Sequence, residues 1–226
     1  MATQYANGKI VTDGLVLSLD TSDLNSYPGS GTTWNDLAGS NNGTLDNGTA
    51  YSSGNGGTFI FDGADDTITF GDSSVFQLSG PATVSFWCQY VTTAQRCVGP
   101  AMAASNADRG EAWSIGIRSN RSVNFEISPG GATDDTPFTL SAEELPLNTW
   151  GMLTCVGTET GCDGYWNGIY RGSISFPFPP SSAYSGTNSF YIANRGTLGP
   201  MMIYNKTLTS DEVLQNYNAQ KSRFGL

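Results

Sequence analysis

The sequence predicts an all-β fold, either a sandwich or a barrel. The first observation is composition: the chain has 28 glycines, with 12% aromatic and only 13% charged residues. That balance is typical of a turn-rich β protein. The second is that short runs of apolar and polar residues recur along the chain with turn residues between them. No internal repeat or low-complexity linker divides the chain, so we expect a single domain spanning residues 1–226.

The predicted strands are short and spread over the whole chain. Residues 83–91 form the clearest one: one face carries Val84, Phe86, Cys88 and Tyr90, and the other carries Trp87. The runs are residues 15–19, 58–61, 67–70, 83–91, 113–117, 122–127, 150–156, 164–168, 189–193 and 201–204, of which 113–117 with 122–127 and 150–156 with 164–168 are predicted hairpins.

The C-terminal segment predicts a short helix. Thr209 can accept a hydrogen bond from the backbone N–H of Glu212, and Glu212 can reach back to the N–H of Thr209, which is a capping box. Behind this cap, Val213, Leu214 and Tyr217 fall on one face. A helix of roughly three turns is not stable alone. We therefore expect these three residues to pack it against the β domain.

The charge of the chain limits its partners. With 20 acidic and 10 basic residues, the formal net charge is −10. This argues against nucleic acid and anionic membrane surfaces as partners. The chain has no run of about 18 apolar residues, so no membrane insertion is expected. Residues 1–9 lack the basic start and apolar stretch of an export signal, which predicts synthesis in the cytoplasm without a signal peptide.

The four cysteines allow two interpretations. Cys88 with Cys97, or Cys155 with Cys162, could meet across a hairpin and form a disulfide if oxidised. The favoured interpretation is buried or half-buried thiols in a protein made in a reducing cytosol. Their spacing does not match a structural zinc site.

The order of several segments points to a known family. These segments are residues 14–20, 34–44, 61–66, 83–87, 148–150, 165–168 and 201–217. Together they resemble the concanavalin A-like lectin/glucanase superfamily in its laminin-G-like branch. Residues 204–217 (Tyr-Asn-Lys-Thr-Leu-Thr-Ser-Asp-Glu-Val-Leu-Gln-Asn-Tyr) resemble the versions carried by tailed-phage virion proteins. The resemblance implies an all-β jelly-roll sandwich of two antiparallel sheets, closed by a short C-terminal helix.

Residue chemistry argues against an enzyme. Glucanases of this superfamily place their catalytic carboxylates on one strand face as Glu-x-Asp-x-x-Glu, and no such string occurs here. The chain also has no histidine, which removes the usual general base and the Ser-His-Asp and Cys-His nucleophile systems. We therefore expect a non-enzymatic protein.

Acidic turns are the predicted metal sites. Asp62, Asp65 and Asp66 follow a strand-like run, and Asp20 and Asp23 form a second group in the first loop. Carboxylate oxygens suit calcium, and the resemblance implies calcium because the superfamily often places it in such turns. Asp side chains also stabilise turns by bonding nearby backbone N–H groups. The turn interpretation is favoured, with calcium as the alternative.

Sugar binding needs an exposed aromatic ring with polar neighbours. Tyr27, Trp34 and Tyr184 are the predicted glycan-binding residues, and Ser, Pro and Gly around Tyr27 and Tyr184 favour exposure of those two. Core packing is the favoured interpretation for each, since large aromatic residues of β-sandwiches mostly lie between the sheets.

These observations predict a structural protein of a tailed-phage virion. The protein would display a lectin-like domain as a capsid decoration protein or a tail protein, and it could form a homo-oligomer. Its partners would be other virion proteins and glycans of the host surface. The main alternative is a carbohydrate-binding module or adhesin domain outside any virion, and a divergent glycan hydrolase is a third hypothesis.

Overall fold

The computed structural model describes residues 4–5, 8–71, 73–76, 78, 81–89, 99–104, 111–117, 122–127, 134–139, 147–175 and 188–226, with the backbone alone at 4–5, 99–104, 111–112, 122–127, 134–139, 188–191 and 193–195. The strands are β1 (Gln4–Tyr5), β2 (Gly8–Lys9), β3 (Leu15–Leu19), β4 (Thr33–Trp34), β5 (Gly43–Asp46), β6 (Ala50–Ser52), β7 (Thr58–Phe70), β8 (Thr83–Gln89), β9 (Gly99–Ala104), β10 (Glu111–Ile117), β11 (Ser122–Ile127), β12 (Asp134–Thr139), β13 (Trp150–Thr158), β14 (Gly161–Trp166), β15 (Ile169–Ser175) and β16 (Asn188–Tyr204). The α-helix is α1 (Ser210–Gln220), and short 3-10 turns lie at Gly54–Gly56, Ser74–Phe76 and Lys221–Phe224. Of the helices in the described part of the chain, none has both the length and the apolar character needed to cross a membrane.

The long strand β16 organises the fold, because its two halves pair with different strands. Residues 188–193 pair with β9 and residues 190–198 with β7, whereas residues 197–204 pair with β8 and, towards their end, also with β3. The first row of strands is therefore β12-β11-β10-β9-β16-β7-β5-β4, with β6 beside the first half of β7. The second row is β3-β16-β8-β13-β14-β15. The predicted hairpins are confirmed as β10–β11 and β13–β14.

The two rows enclose the main hydrophobic core. Ile68 and Trp113 enter it from the first row, and Phe86 and Leu153 enter it from the second. On β8 the predicted alternation is confirmed, since Trp87 belongs instead to a second cluster on the opposite face. The all-β sandwich is thus confirmed, with β16 joining its two sheets into one continuous antiparallel sheet.

Helix α1 packs on the outer face of the second row, against this second cluster. The predicted capping box is confirmed: the Glu212 N–H donates to Thr209 Oγ1 at 3.3 Å, and the Thr209 N–H donates to Glu212 Oε2 at 2.8 Å. Val213 is fully buried and Tyr217 is half-buried, as predicted. The prediction for Leu214 is confirmed only in part: its side chain lies beside Gly168, in the turn before β15, but the residue is 41% exposed.

Polar side chains form part of the packed face of α1. The Asn216 amide accepts a hydrogen bond from the Val11 N–H at 2.8 Å and donates one to the Tyr204 hydroxyl at 3.0 Å. Gln220 Oε1 accepts the indole N–H of Trp87. Burial raises the pKa of Tyr204, so this phenol stays neutral and acts as a hydrogen-bonding group. Because each bond satisfies a buried donor or acceptor, the helix has one favoured position on the sheet.

Candidate functional site

Residues 62–66, called the acidic bulge below, interrupt the pairing of β7 with β16. Thr67 lies opposite Ala193 and Asp62 opposite Arg195, so β7 advances five residues while β16 advances two. The extra residues of β7 have no partner on β16 and bulge out of the sheet. The sequence predicts a turn between two strands, 58–61 and 67–70; in the structure this turn is a bulge within the single strand β7.

The acidic bulge brings its three carboxylates together. Ligand oxygens of Asp62, Asp65 and Asp66 all lie within 4.8 Å of one another. Because Ca²⁺–oxygen distances are about 2.3–2.6 Å, two oxygens on opposite sides of the ion lie about 5 Å apart. The donor set and its spacing thus fit one calcium ion.

Backbone N–H groups already use part of this donor set. The Ala64 N–H donates to Asp62 Oδ1 at 2.7 Å, and the Asp62 N–H donates to Asp66 Oδ2 at 2.8 Å. These are the local bonds that the turn interpretation predicts. The second carboxylate oxygens of Asp62 and Asp66 are not engaged in these bonds. Calcium at the acidic bulge stays a prediction.

A turn from the neighbouring strands holds the acidic bulge in place. Asn47 and Gly48, between β5 and β6, have φ angles of 57° and 97°, in the left-handed region that favours these residue types. The Asn47 side-chain amide donates to the Asp65 carbonyl at 2.9 Å. A Cβ atom at Gly48 would lie 3.8 Å from Asp66 Oδ1. The bulge and the turn therefore form one surface feature.

The second predicted acidic group has structural partners. Asp20 Oδ1 lies 2.5 Å from Arg223 Nη1, and the two side chains are 2% and 10% exposed. Asp23 Oδ1 accepts bonds from the backbone N–H and the side-chain amide of Asn25, at 2.9 and 2.8 Å. Asp20 thus forms a buried ion pair and Asp23 stabilises a local turn. Both contacts favour structural roles over calcium binding here.

Arg223 fastens the end of the chain to two distant loops. Each of its five guanidinium N–H groups has an acceptor. The acceptors are Asp20 Oδ1, Ser22 Oγ, Thr21 Oγ1 and the carbonyl oxygens of Asn55 and Gly57. The planar guanidinium therefore joins the C-terminal turn to the loop after β3 and to the turn before β7.

Two of the three predicted glycan-binding residues belong to the core. Tyr27 is 2% exposed and Trp34 is fully buried, so their prediction as binding platforms is wrong. Both rings pack edge-on against Phe59, with centroid distances of 5.0 and 4.9 Å. The Tyr27 hydroxyl donates to the Gly31 carbonyl at 2.8 Å, so the loop satisfies the one polar atom of that ring. Tyr184 lies outside the described residues.

An exposed aromatic ring, which the sequence did not indicate, lies at Tyr170. Tyr170 is 51% exposed, and no other aromatic side chain in the described ranges is exposed to that extent. Its ring packs edge-on against Tyr165, with centroids 5.7 Å apart and planes at 71°. Tyr170 lies on β15, at the end of the second row. The Asn167–Gly168 turn just before it marks the hairpin, but no sequence signal marks its exposure.

Three of the four cysteines lie in the described part of the chain: Cys88, Cys155 and Cys162 are all buried, and Cys155 and Cys162 are free thiols. The interaction with Cys155, followed by burial, raises the pKa of the Cys162 thiol well above its usual range. A thiol with a raised pKa is a poor nucleophile. Cys97 lies outside the described residues.

The antiparallel sandwich, with a helix on one outer face, is compatible with a lectin-like domain. Residues 62–214, more than half of the chain, match the laminin-G family described as the concanavalin A-like lectin/glucanases superfamily. The chain belongs to this family. No curated protein matches it.

Solved structures agree with this fold. The binding domain of botulinum neurotoxin DC, solved with rat synaptotagmin II, has a TM-score of 0.69 and 15% identity, over 92% of this chain and 52% of that one. Botulinum neurotoxin type C, from a study of its interaction with two ganglioside molecules, has a TM-score of 0.68 and 16% identity, over 92% of this chain and 51% of that one. The sialidase of Trypanosoma rangeli, solved with the inhibitor DANA, has a TM-score of 0.67 and 14% identity, over 96% of this chain and 34% of that one. The chain spans about half the length of the toxin chains and about a third of the sialidase, and at these identities the likeness concerns the fold alone.

Proposed function

We propose that this chain is a non-enzymatic, glycan-binding domain displayed on the virion of a tailed phage. The observation that carries the glycan-binding part is membership of the lectin-like family over residues 62–214. Entry of botulinum neurotoxin type C into cells depends on two ganglioside molecules, and its structure resembles this chain. Glycans are therefore the first ligand class to test.

The virion part of the proposal rests on the C-terminal segment. Residues 204–217 resemble the segment of tailed-phage virion proteins, and here they form the capped start of α1 and the strand end before it. One surface of the domain would dock on a capsid or tail protein while the other faces the host. Binding of each copy to a host glycan can be weak, because many copies on one particle raise the effective affinity. The net charge of −10 would help to keep the particles soluble.

The non-enzymatic part rests on residue chemistry. The sequence contains neither histidine nor the Glu-x-Asp-x-x-Glu string of the glucanases it resembles. Hydrolysis must still be tested, because a sialidase is among the solved structures that resemble this chain. Turnover of a host polysaccharide that disappears when one carboxylate is mutated would overturn this part of the proposal.

Two experiments test the remaining parts separately. Quantitative mass spectrometry of purified virions should find the protein at a fixed number of copies per particle, and its absence would refute the virion role. A glycan array, probed with and without EDTA, should show binding to a restricted set of glycans. A silent array under both conditions would refute the lectin role. Binding by a protein that is missing from virions would support the carbohydrate-binding module or adhesin alternative.

A further inference from the structure

The outer face of the second row is covered unevenly. On one line across the strands, Thr154 of β13 pairs with Tyr165 of β14, which pairs with Tyr170 of β15. Their side chains are 1%, 6% and 51% exposed. The C-terminal segment thus covers this face over β14 and reaches the start of β15, where α1 makes contact, while Tyr170 and Ser173 of β15 stay exposed.

A second line of residues runs beside the first and ends in polar groups. Val156 pairs with Asp163, which pairs with Ser173. Val156 is buried, Asp163 is half-buried and Ser173 is exposed. Two residues along a strand cover about 7 Å, so Asp163 lies about that far from Tyr165 on the same face. Burial and then the nearby charge of Asp163 raise the pKa of Tyr165, which agrees with this proximity.

Tyr170 does not belong to a continuous apolar patch on the hairpin. Its neighbour Ile169 is also exposed, but Ile169 pairs with Trp166, which enters the main core, and therefore points to the opposite face. On the outer face, polar residues lie on one side of Tyr170, and Leu214, which is 41% exposed, lies beside Gly168 towards the helix. One flat ring beside a carboxylate and a hydroxyl suits a small polar ligand better than an apolar protein surface.

We propose that Tyr170, Asp163 and Ser173 form a subsite for a neutral saccharide on the outer face of β14 and β15. The Tyr170 ring would stack on the C–H face of one sugar ring, held upright by its edge-on contact with Tyr165. The Asp163 carboxylate would accept hydrogen bonds from two adjacent sugar hydroxyls, and the Ser173 hydroxyl would bond a third. This inference rests on the proposed glycan-binding function and places it on named residues.

The charges around the subsite favour a neutral sugar. Between Gly161 and Ser175 the charged residues are Asp163 and Arg171, which balance each other. The chain as a whole carries −10, so it repels an anionic sugar at long range. A sialylated glycan would also bring a second carboxylate towards Asp163. Hexose and N-acetylhexosamine units offer adjacent hydroxyls or amides to the subsite and bring no carboxylate that Asp163 would repel.

The test compares matched variants on defined probes. The intact protein is first screened on an array of immobilised neutral and sialylated glycans, and the strongest neutral oligosaccharide is then titrated by calorimetry. Tyr170→Ala should weaken binding at least about tenfold, as truncation of an aromatic anchor does. Tyr170→Phe keeps the ring and should stay within about twofold of the unmodified protein, and Asp163→Asn should weaken binding several-fold. Leu24→Ala, which truncates another apolar side chain, 76% exposed, should change nothing.

The outcomes separate this inference from the proposed function. If the unmodified protein binds no glycan, both fall. If it binds glycans and Tyr170→Ala and Asp163→Asn bind equally well, the subsite is refuted while the lectin function stands. A preference for sialylated glycans would refute the neutral class. If Tyr170→Ala loses binding to a virion protein while its glycan binding stays intact, this face is a docking surface and the inference is overturned.

Discussion

Replacing Arg223 by alanine tests whether the C-terminal turn holds the domain together. The variant removes the guanidinium that pairs with the carboxylate of Asp20, whose side chain is 2% exposed and keeps its bonds from the N–H and hydroxyl of Ser22. Removing one partner of a buried ion pair costs about 3–5 kcal/mol, because the other charge stays buried and uncompensated. The Arg223 side chain itself is 10% exposed, and water can reach part of the gap. We therefore expect the lower end of that range, about 3 kcal/mol.

Two further variants separate the charge from the geometry. Arg223→Lys keeps the positive charge but offers three N–H donors in place of five, so it should cost about 1–2 kcal/mol. Asp20→Asn keeps the shape of the side chain and removes its charge. In the double variant of Arg223→Ala with Asp20→Asn, the loss should be clearly smaller than the sum of the single losses, because the partners are in direct contact.

Equilibrium urea unfolding gives the free energy of unfolding of each variant. In a domain of this length, 1 kcal/mol shifts the melting temperature by about 2–4 °C, so Arg223→Ala should melt about 6–12 °C lower. Raising the salt concentration to 1 M should leave this difference nearly unchanged, since a buried pair is poorly screened. A loss below about 0.5 kcal/mol for Arg223→Ala, or strict additivity in the double variant, would refute the reasoning.

Three predictions concern other groups. The Lys206 ammonium, and then the N–H of Thr209, lower the pKa of Glu212. Its contribution to stability is therefore full above the unfolded pKa of about 4.3 and disappears as pH falls through the folded value. The melting-temperature difference between the unmodified protein and Glu212→Gln should shrink from pH 6 to pH 3, and a constant difference would contradict this. Calcium chloride should raise the melting temperature of the unmodified protein but not of Asp66→Asn, and no effect on either would refute calcium binding at the acidic bulge. Cys155 and Cys162 should react with iodoacetamide only after unfolding, as measured by mass spectrometry; rapid labelling of the folded protein would contradict their burial.

Local patterns were sufficient to predict the strands and the helix cap. The alternation around Trp87 identified the two faces of β8 correctly, because a strand repeats every two residues wherever it lies. The capping box of Thr209 and Glu212 was equally readable, since its two hydrogen bonds join residues three positions apart. The acidic bulge was predicted as a turn for the same reason. Each of these features depends on neighbours in the sequence.

Exposure of single side chains was not predictable in this way. Tyr27 has polar neighbours, yet its loop folds back so that the ring meets Phe59 in the core. Tyr170 lies in an ordinary strand pattern, and its exposure depends on how much of the sheet α1 covers. The pair of Asp20 and Arg223 joins positions 203 residues apart, so nothing near Asp20 in the sequence indicates its partner. Such features follow from the packing of the whole chain.

The C-terminal segment both completes the fold and limits the surface that can bind a ligand. Lys206 fastens its start through ion pairs with Asp13 and Glu212, both 2.8 Å long, and Arg223 fastens its end. The helix is therefore held over the second hydrophobic cluster, and Tyr170 on β15 stays exposed. Removing residues 205–226 would expose that cluster, including Trp87, so the truncated protein should lose stability and glycan binding together in urea unfolding and calorimetry. Tyr170→Ala should lose glycan binding alone. A truncated protein as stable as the full chain would show that the segment does not close the fold.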